Sequence, residues 1–357
     1  MDRRRGTIMN NSAAQFQTLV STPKVRTGGL RNRVINGQFD IWQRGTSFGP
    51  GALADLFTAD RWSTNANLGE SGATFTQSVN RVAFSLGQTD VPNNPVFYAT
   101  FSGTFVSGNG KEITALAHRL ENVRSFAGTT ATLSFWAKGS INGTIRVNLA
   151  QFFGVGGSAS IFFADEAIDL TTTFQKFVLV FTFPSISSKI IGGGLDSYLS
   201  IRFMTGAGPI NNQNLTPFQY TGTVSLTNVQ MEKGTISDPE FVRRDLGLEL
   251  TLCQRYYEIN DKSESSFAQG PTHSIWQNFK VTKRTIPTIT YFSREEPPTQ
   301  SNVAVGSTTI PNITVDGFQV QVSLDVALTN TNFVSIDPTD VSHTTTKPWE
   351  ADSEFPL

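Results

Sequence analysis

Residues 245–258 carry the one helical repeat in a chain of 357 residues, and everything around them reads as short strands and turns. Leu246, Leu250, Cys253 and Tyr257 recur at helical spacing on one face, and Leu248, Leu252, Tyr256 and Ile259 on a second. Asp245 occupies the N-cap position, where a carboxylate accepts from the free amides of the first turn. Glu249 lies on the favourable end of the helix dipole. A helix of about 14 residues is marginal alone in water, and one with two apolar faces needs cover on both sides. The stretch is therefore expected to be a rod around which β-rich bodies, or several copies of the chain, are built.

The flanks are organised by a period of two. In Thr132-Leu133-Ser134-Phe135-Trp136-Ala137 and Thr144-Ile145-Arg146-Val147-Asn148-Leu149 apolar residues alternate with mostly polar ones, as in half-buried strands. Strands are expected at 34–42, 73–79, 96–105, 113–120, 130–138, 144–152, 174–183, 198–204 and 221–231. After the helix they are expected at 274–282, 288–292, 308–315, 318–328 and 331–336. Turn signals between them predict a mainly β chain with an antiparallel jelly-roll sandwich. The absence of βαβ alternation argues against Rossmann and TIM architectures. The expected organisation is an N-terminal arm over 1–32, the jelly roll over 33–240, the connecting helix within 241–262, and a smaller C-terminal β domain with an extended tail over 263–357.

Composition narrows function by exclusion. The net charge of −1 is unlike a general nucleic-acid binder. Cys253 is the only cysteine and there are three scattered histidines, so neither a disulfide framework nor a thiolate or zinc cluster is expected. No apolar run reaches the ~18 residues of a membrane span, and the arginines at 3–5 are not followed by the apolar core of a secretory signal. Charge is uneven: residues 1–33 carry +6 and residues 337–357 carry −4. Two solvated tails are one reading; a basic arm that docks on another protein is the other.

Several segments resemble, in order, the phage and prophage tail-fibre or receptor-binding proteins. They are Asn36-Gly37-Gln38-Phe39-Asp40-Ile41-Trp42-Gln43-Arg44-Gly45, Ala59-Asp60-Arg61-Trp62, Leu133-Ser134-Phe135-Trp136-Ala137-Lys138, Leu226-Thr227-Asn228-Val229-Gln230-Met231-Glu232 and Leu252-Cys253-Gln254-Arg255-Tyr256-Tyr257. The stretch from Phe279 to Thr288 looks like the family's segment just beyond the helix. The resemblance implies a jelly roll like a carbohydrate-binding module, then the helix and a C-terminal β domain, in a homotrimeric virion protein that binds host-surface polysaccharide. Other virion proteins would be met through the N-terminal arm. The first 30 residues match nothing in that pattern, from which a short fibre or peripheral component is expected. A purely structural head-fibre, decoration or baseplate role and a polysaccharide depolymerase are the alternatives.

Candidate sites follow from these readings. Sugars stack on flat aromatic faces, so Trp42, Trp62, Trp136 and Trp276 come first. Trp62 and Trp42 are expected in the core, whereas Trp136 alternates away from Leu133 and Phe135 and is expected on the outer face. Tyr98 and Tyr198 are comparable candidates. The resemblance also implies a structural calcium between first and last strands, for which Asp40 and Asn228 are the candidate ligands. The acids are scattered and form no catalytic pair of the kind glycosidases use. There is no Gly-x-Ser-x-Gly elbow, and the glycine runs at 154–157 and 192–194 read as turns, so no enzyme is expected. Cys253 reads as an inert core thiol. Leu246, Leu250, Cys253 and Tyr257 are the expected oligomer interface.

Overall fold

Alternation builds most of the molecule. The computed structural model describes residues 31–355 apart from 54, 68–73, 107–109, 211–212, 214, 261–263, 268–269, 292–293, 297–304, 329–332 and 338–348. The expected arm, up to residue 30, lies outside the described residues.

Six strands form sheet I in the order β1 (Ser47–Gly51), β3 (Thr74–Ala83), β4 (Phe97–Val106), β12 (Val224–Lys233), β6 (Thr130–Gly139) and β9 (Gln175–Thr182). Sheet II runs β2 (Trp62–Asn67), β5 (Ile113–Glu121), β10 (Tyr198–Ala207), β7 (Gly143–Phe152) and β8 (Ile161–Leu170), with the short β11 (Phe218–Gln219) beside β10. Every pairing is antiparallel. The chain crosses repeatedly between the sheets, as a jelly-roll sandwich requires. Period-two alternation sends Ala131, Leu133, Phe135 and Ala137 of β6 inward, where each is fully buried. There Phe135 meets Phe203 of β10 edge-on at 5.0 Å, a geometry aromatic pairs favour.

Residues 34–42 are not the expected strand. Asn36 and Phe39 have positive φ, of 57° and 60°, outside the extended region. The segment is instead a knot tied by Asn36, whose amide donates to Ile41 O (2.8 Å) and Asp60 O (3.0 Å) while its oxygen accepts from Ile41 N (3.0 Å). Gly37 lies against β12, where a Cβ would come 2.1 Å from the Val229 carbonyl oxygen. Trp62 donates to Asn36 O (3.0 Å), Trp42 donates to Phe39 O (2.6 Å), and the Phe39 and Trp62 rings lie 4.7 Å apart. Both tryptophans are buried, as expected.

The α-helix, α1 (Leu246–Gln254), is shorter than expected. Asp245 holds the N-cap position, but its side chain makes no capping hydrogen bond. Glu249 accepts from Arg244 (3.0 Å) and from the Asn36 backbone N–H, and so joins the helix to the knot. The chain leaves the helix because its two tyrosines are drawn elsewhere. Arg61 lies 3.5 Å from the Tyr256 ring centre, and Arg44 lies 3.5 Å from that of Tyr257. Tyr257 opens β13 (Tyr257–Asn260), which pairs with β21 (Trp349–Asp352), itself flanked by β16 (Thr288–Tyr291). The end of the chain is thus the middle strand of a three-stranded sheet rather than a loose tail. Two further three-stranded sheets complete this body. One is β14 (Glu264–Phe267), β20 (Phe333–Asp337) and β17 (Arg294–Glu296); the other is β15 (Gly270–Asn278), β19 (Gly317–Leu328) and β18 (Val305–Ile313). Phe279, Phe318 and Trp349 form a small second core with ring centres 5.0–5.8 Å apart.

Candidate functional site

Both outer faces of the sandwich carry an aromatic groove. On sheet I, Trp136 of β6 faces outward and pairs across the sheet with Lys176 of β9 and Thr227 of β12. It floors a groove of about 480 Å³ walled by Asn93, Asn228, Asp238, Glu240 and Phe241. Lys176 and Asp238 form an ion pair on its rim, and that ammonium holds the exposed Asp238 carboxyl below the usual range. Tyr98 is not part of this groove. It packs in a neighbouring outer cluster, 4.7 Å from Phe84 and 5.6 Å from Phe174, and burial, with Asp90 nearby, raises its phenol pKa.

On sheet II, Tyr198 of β10 stands opposite Phe152 of β7 in the strand register. Their rings stack at 4.6 Å with only 15° between planes, and Phe162 of β8 meets Phe152 edge-on at 5.8 Å. The rings line a groove of about 360 Å³ shared with Asp55, Asn65, Ser200, Arg202 and Gln213. Arg119 of β5 brings its guanidinium within 5.0 Å of the Tyr198 ring, and the Phe355 ring lies 5.3 Å from the same ring. Burial, chiefly, raises the Tyr198 phenol pKa. Flat rings beside amides, hydroxyls and guanidiniums are the donor and platform set that a pyranose can use. Of this group the sequence singled out Tyr198 alone. Phe152 and Phe162 become a shelf only through the β7–β10 and β7–β8 registers, which no local pattern encodes.

Asp40 and Asn228 are not brought to one site. Asp40 lies in the knot rather than on a first strand, in a cleft of about 10 Å³ with Asn36, Gln38 and Glu249. Its pKa is raised, mainly by burial. Asn228, at a bulge in β12, turns its oxygen to the Gln38 amide (2.9 Å) and lines the sheet I groove. Calcium needs six to eight oxygens, and these residues do not fit it. Among the described residues no group of three or more His, Cys, Asp or Glu side chains is placed to hold a metal ion.

The expected interface is divided by burial. Leu246 is 59% exposed and Leu248 44% exposed, and Leu250 is half-buried. Cys253 and Tyr257 are buried within the chain and cannot meet another copy; burial also pushes the Cys253 thiol pKa well up. Trp276 is 43% exposed on β15 and donates to Asn278 (2.9 Å).

Three of the five segments, at 36–45, 59–62 and 252–257, converge instead on a partly buried polar joint between the jelly roll and the C-terminal body. Arg61 pairs with Glu354, and Arg44 donates to Asp352 (2.9 Å). Tyr257 donates to Glu350, and Arg255 pairs with Glu121 at 2.9 Å. Lys283 pairs with Glu258, and Arg284 donates to the carbonyls of Ser353 and Glu354 (both 3.0 Å). Burial lowers the Arg61 pKa to about 10 and raises that of Tyr256 to about 12. Burial would raise the Glu121 carboxyl, but hydrogen bonds from Arg255 and Tyr256 outweigh it and leave it lowered.

No protein-family model matches the chain, and no curated protein matches it. Solved structures do. One is a CBM4 carbohydrate-binding module, 16% identical with a TM-score of 0.34 over 56% of this chain and 99% of that one. Another is the enzymatically active domain of bacteriophage CBA120 tailspike protein 4, 15% identical with a TM-score of 0.30 over 57% of this chain and 22% of that one. A third is the family 11 carbohydrate-binding module of Clostridium thermocellum in complex with a β-1,3-1,4-mixed-linked tetrasaccharide, 15% identical with a TM-score of 0.30 over 52% of this chain and 96% of that one. The chemistry open to this chain is read from the residues of its own grooves.

Proposed function

We propose that the chain binds host-surface polysaccharide on the outer face of sheet II, as a non-catalytic, tail-fibre-like component of a bacteriophage particle that assembles as a homotrimer. The observation that carries the binding role is the half-buried aromatic group of Tyr198, Phe152 and Phe162 in a groove lined by amides, a hydroxyl and two guanidiniums. The virion setting rests on the sequence resemblance. Three weak sites on one body would gain through effective concentration what each lacks in affinity.

A non-catalytic role is supported by the carboxylates. Asp55 is the one acid among the described residues lining the sheet II groove, whereas glycoside hydrolysis uses two. The sheet I groove has Asp238 and Glu240 beside Trp136, but Lys176 depresses Asp238, the opposite of what a general acid needs. Incubation with polysaccharide extracted from the host surface should show binding without release of reducing ends. Release of oligosaccharide would assign the depolymerase role instead.

The purely structural role is favoured by one observation: Arg44, Arg61, Tyr256 and Tyr257, from three of the five segments, build the joint between the jelly roll and the C-terminal body. Absence of binding to any host polysaccharide, together with tight docking of residues 1–33 on another virion protein, would establish that role.

A further inference from the structure

We propose that the sheet II groove takes a saccharide bearing an anionic group, a carboxylate or a phosphate, and that Arg202 receives it; this rests on the glycan-binding reading of that face. Arg202 is only 2% exposed, yet every hydrogen-bond partner it has is neutral, and the Asp165 carboxylate acts on it only through space. Nε and Nη2 donate to the Asn148 amide oxygen, the former at 3.1 Å, Nη1 donates to Gln213 Oε1 at 2.6 Å, and the Phe162 ring lies 5.0 Å from the guanidinium. A buried cation ordinarily meets a carboxylate. Elsewhere in this molecule Arg61, Arg244 and Lys283 do, against Glu354, Glu249 and Glu258.

The nearby acids are bonded to other groups, although one Asp165 oxygen, Oδ1, is buried without a hydrogen-bond partner. Asp165 accepts from Arg146 Nε (2.8 Å), and Asp55 accepts from Asn65 (2.9 Å). Arg119 adds a second guanidinium to the lining. A guanidinium has five N–H groups, and three of those of Arg202 are used. Burial lowers its pKa to about 10, so it remains charged at neutral pH. Gln213 Oε1 occupies the position an oxyanion would take on Nη1. A ligand anion would displace that amide and form the charge-assisted pair that guanidinium geometry favours, with its ring on the Tyr198–Phe152–Phe162 shelf.

The test is an array of uronate-, sialate- and phosphate-bearing glycans with neutral ones, probed with the full chain and with Gln213→Glu and Tyr198→Ala variants. Retained glycans should be anionic, and reducing their carboxyls, or removing their phosphates, should weaken binding roughly tenfold. Gln213→Glu would supply the anion internally and should weaken binding to the same degree while leaving the melting temperature unchanged or raised. Carboxylate and phosphate spots distinguish the two sources of the anion. Equal binding of neutral glycans, or unaltered affinity in Gln213→Glu, overturns the anionic assignment while Tyr198→Ala still tests the groove. No retention of any glycan by the unmodified chain overturns the groove reading and this inference with it.

Discussion

Asn36 and Gly37 show what a single residue does in the knot. Asn36 satisfies three backbone groups, and Gly37 lets β12 approach so closely that a methyl group would collide with the Val229 carbonyl. Gly37→Ala should therefore destabilise the chain by about 3 kcal/mol or more, read as a drop in denaturation midpoint. Glu354 is the buried partner of Arg61, and removing one member of such a pair leaves an uncompensated charge. Glu354→Gln should cost about 3 kcal/mol; an unchanged midpoint would show that Arg61 is satisfied by other groups. His118 is fully buried, and its pKa is driven well below the usual histidine value, first by burial and then by Arg61. The unfolded chain then binds the proton more readily, so stability falls as pH drops below about 6.5, by up to about 1.4 kcal/mol per unit. Burial raises the Asp60 pKa, which acts in the opposite sense. The comparison that isolates His118 is the pH dependence of melting against His118→Gln, whose curve should be flatter; parallel curves would contradict the assignment.

At the scale of elements, alternation made most of the sandwich legible. The expected strands at 113–120, 130–138 and 144–152 match β5, β6 and β7 to within about one residue at each end. β8 was not legible, because Asp165, Glu166 and Asp169 interrupt its apolar pattern on a sheet edge where acids are tolerated. β21 was hidden for a different reason. Its four residues gain strand character only from β13 and β16 on either side, a long-range pairing that no local period signals. The helix was legible as an element but not in its partners. Its leucine stripe suggested burial on two sides, whereas Glu249, Cys253 and Gln254 are the residues it buries. Of the expected trimer interface Leu246 remains exposed and Leu250 half-buried, and Leu248, from the helix's other apolar face, is exposed as well. Leu246→Asp with Leu248→Asp should dissociate the trimer with the melting temperature of the monomer retained. A trimer that survives both changes places the contact elsewhere.

For the whole molecule, the joint makes the jelly roll and the C-terminal body depend on each other. Arg44 and Arg61 of the jelly roll, Tyr256 and Tyr257 beyond the helix, and Asp352 and Glu354 at the chain end interlock. Three of the segments that carry the resemblance, at 36–45, 59–62 and 252–257, contribute residues to this joint, whereas those at 133–138 and 226–232 supply Trp136 and Asn228 to the sheet I groove. The grooves were only partly legible. Trp136 and Tyr198 were singled out by type and alternation, but their surroundings come from registers and from loops that close over the sheets. A trimer would carry three sheet II shelves, and avidity could exceed single-site affinity by about 10²–10⁴. The central claim, a glycan-binding face on sheet II, is tested most directly by the affinity of the chain for host-surface polysaccharide with and without Tyr198→Ala. Measurable binding is expected, falling roughly tenfold or more in the variant, a loss of about 1.4 kcal/mol or more, while Trp276→Ala should bind as the unmodified chain does. Undiminished binding by Tyr198→Ala would contradict the claim.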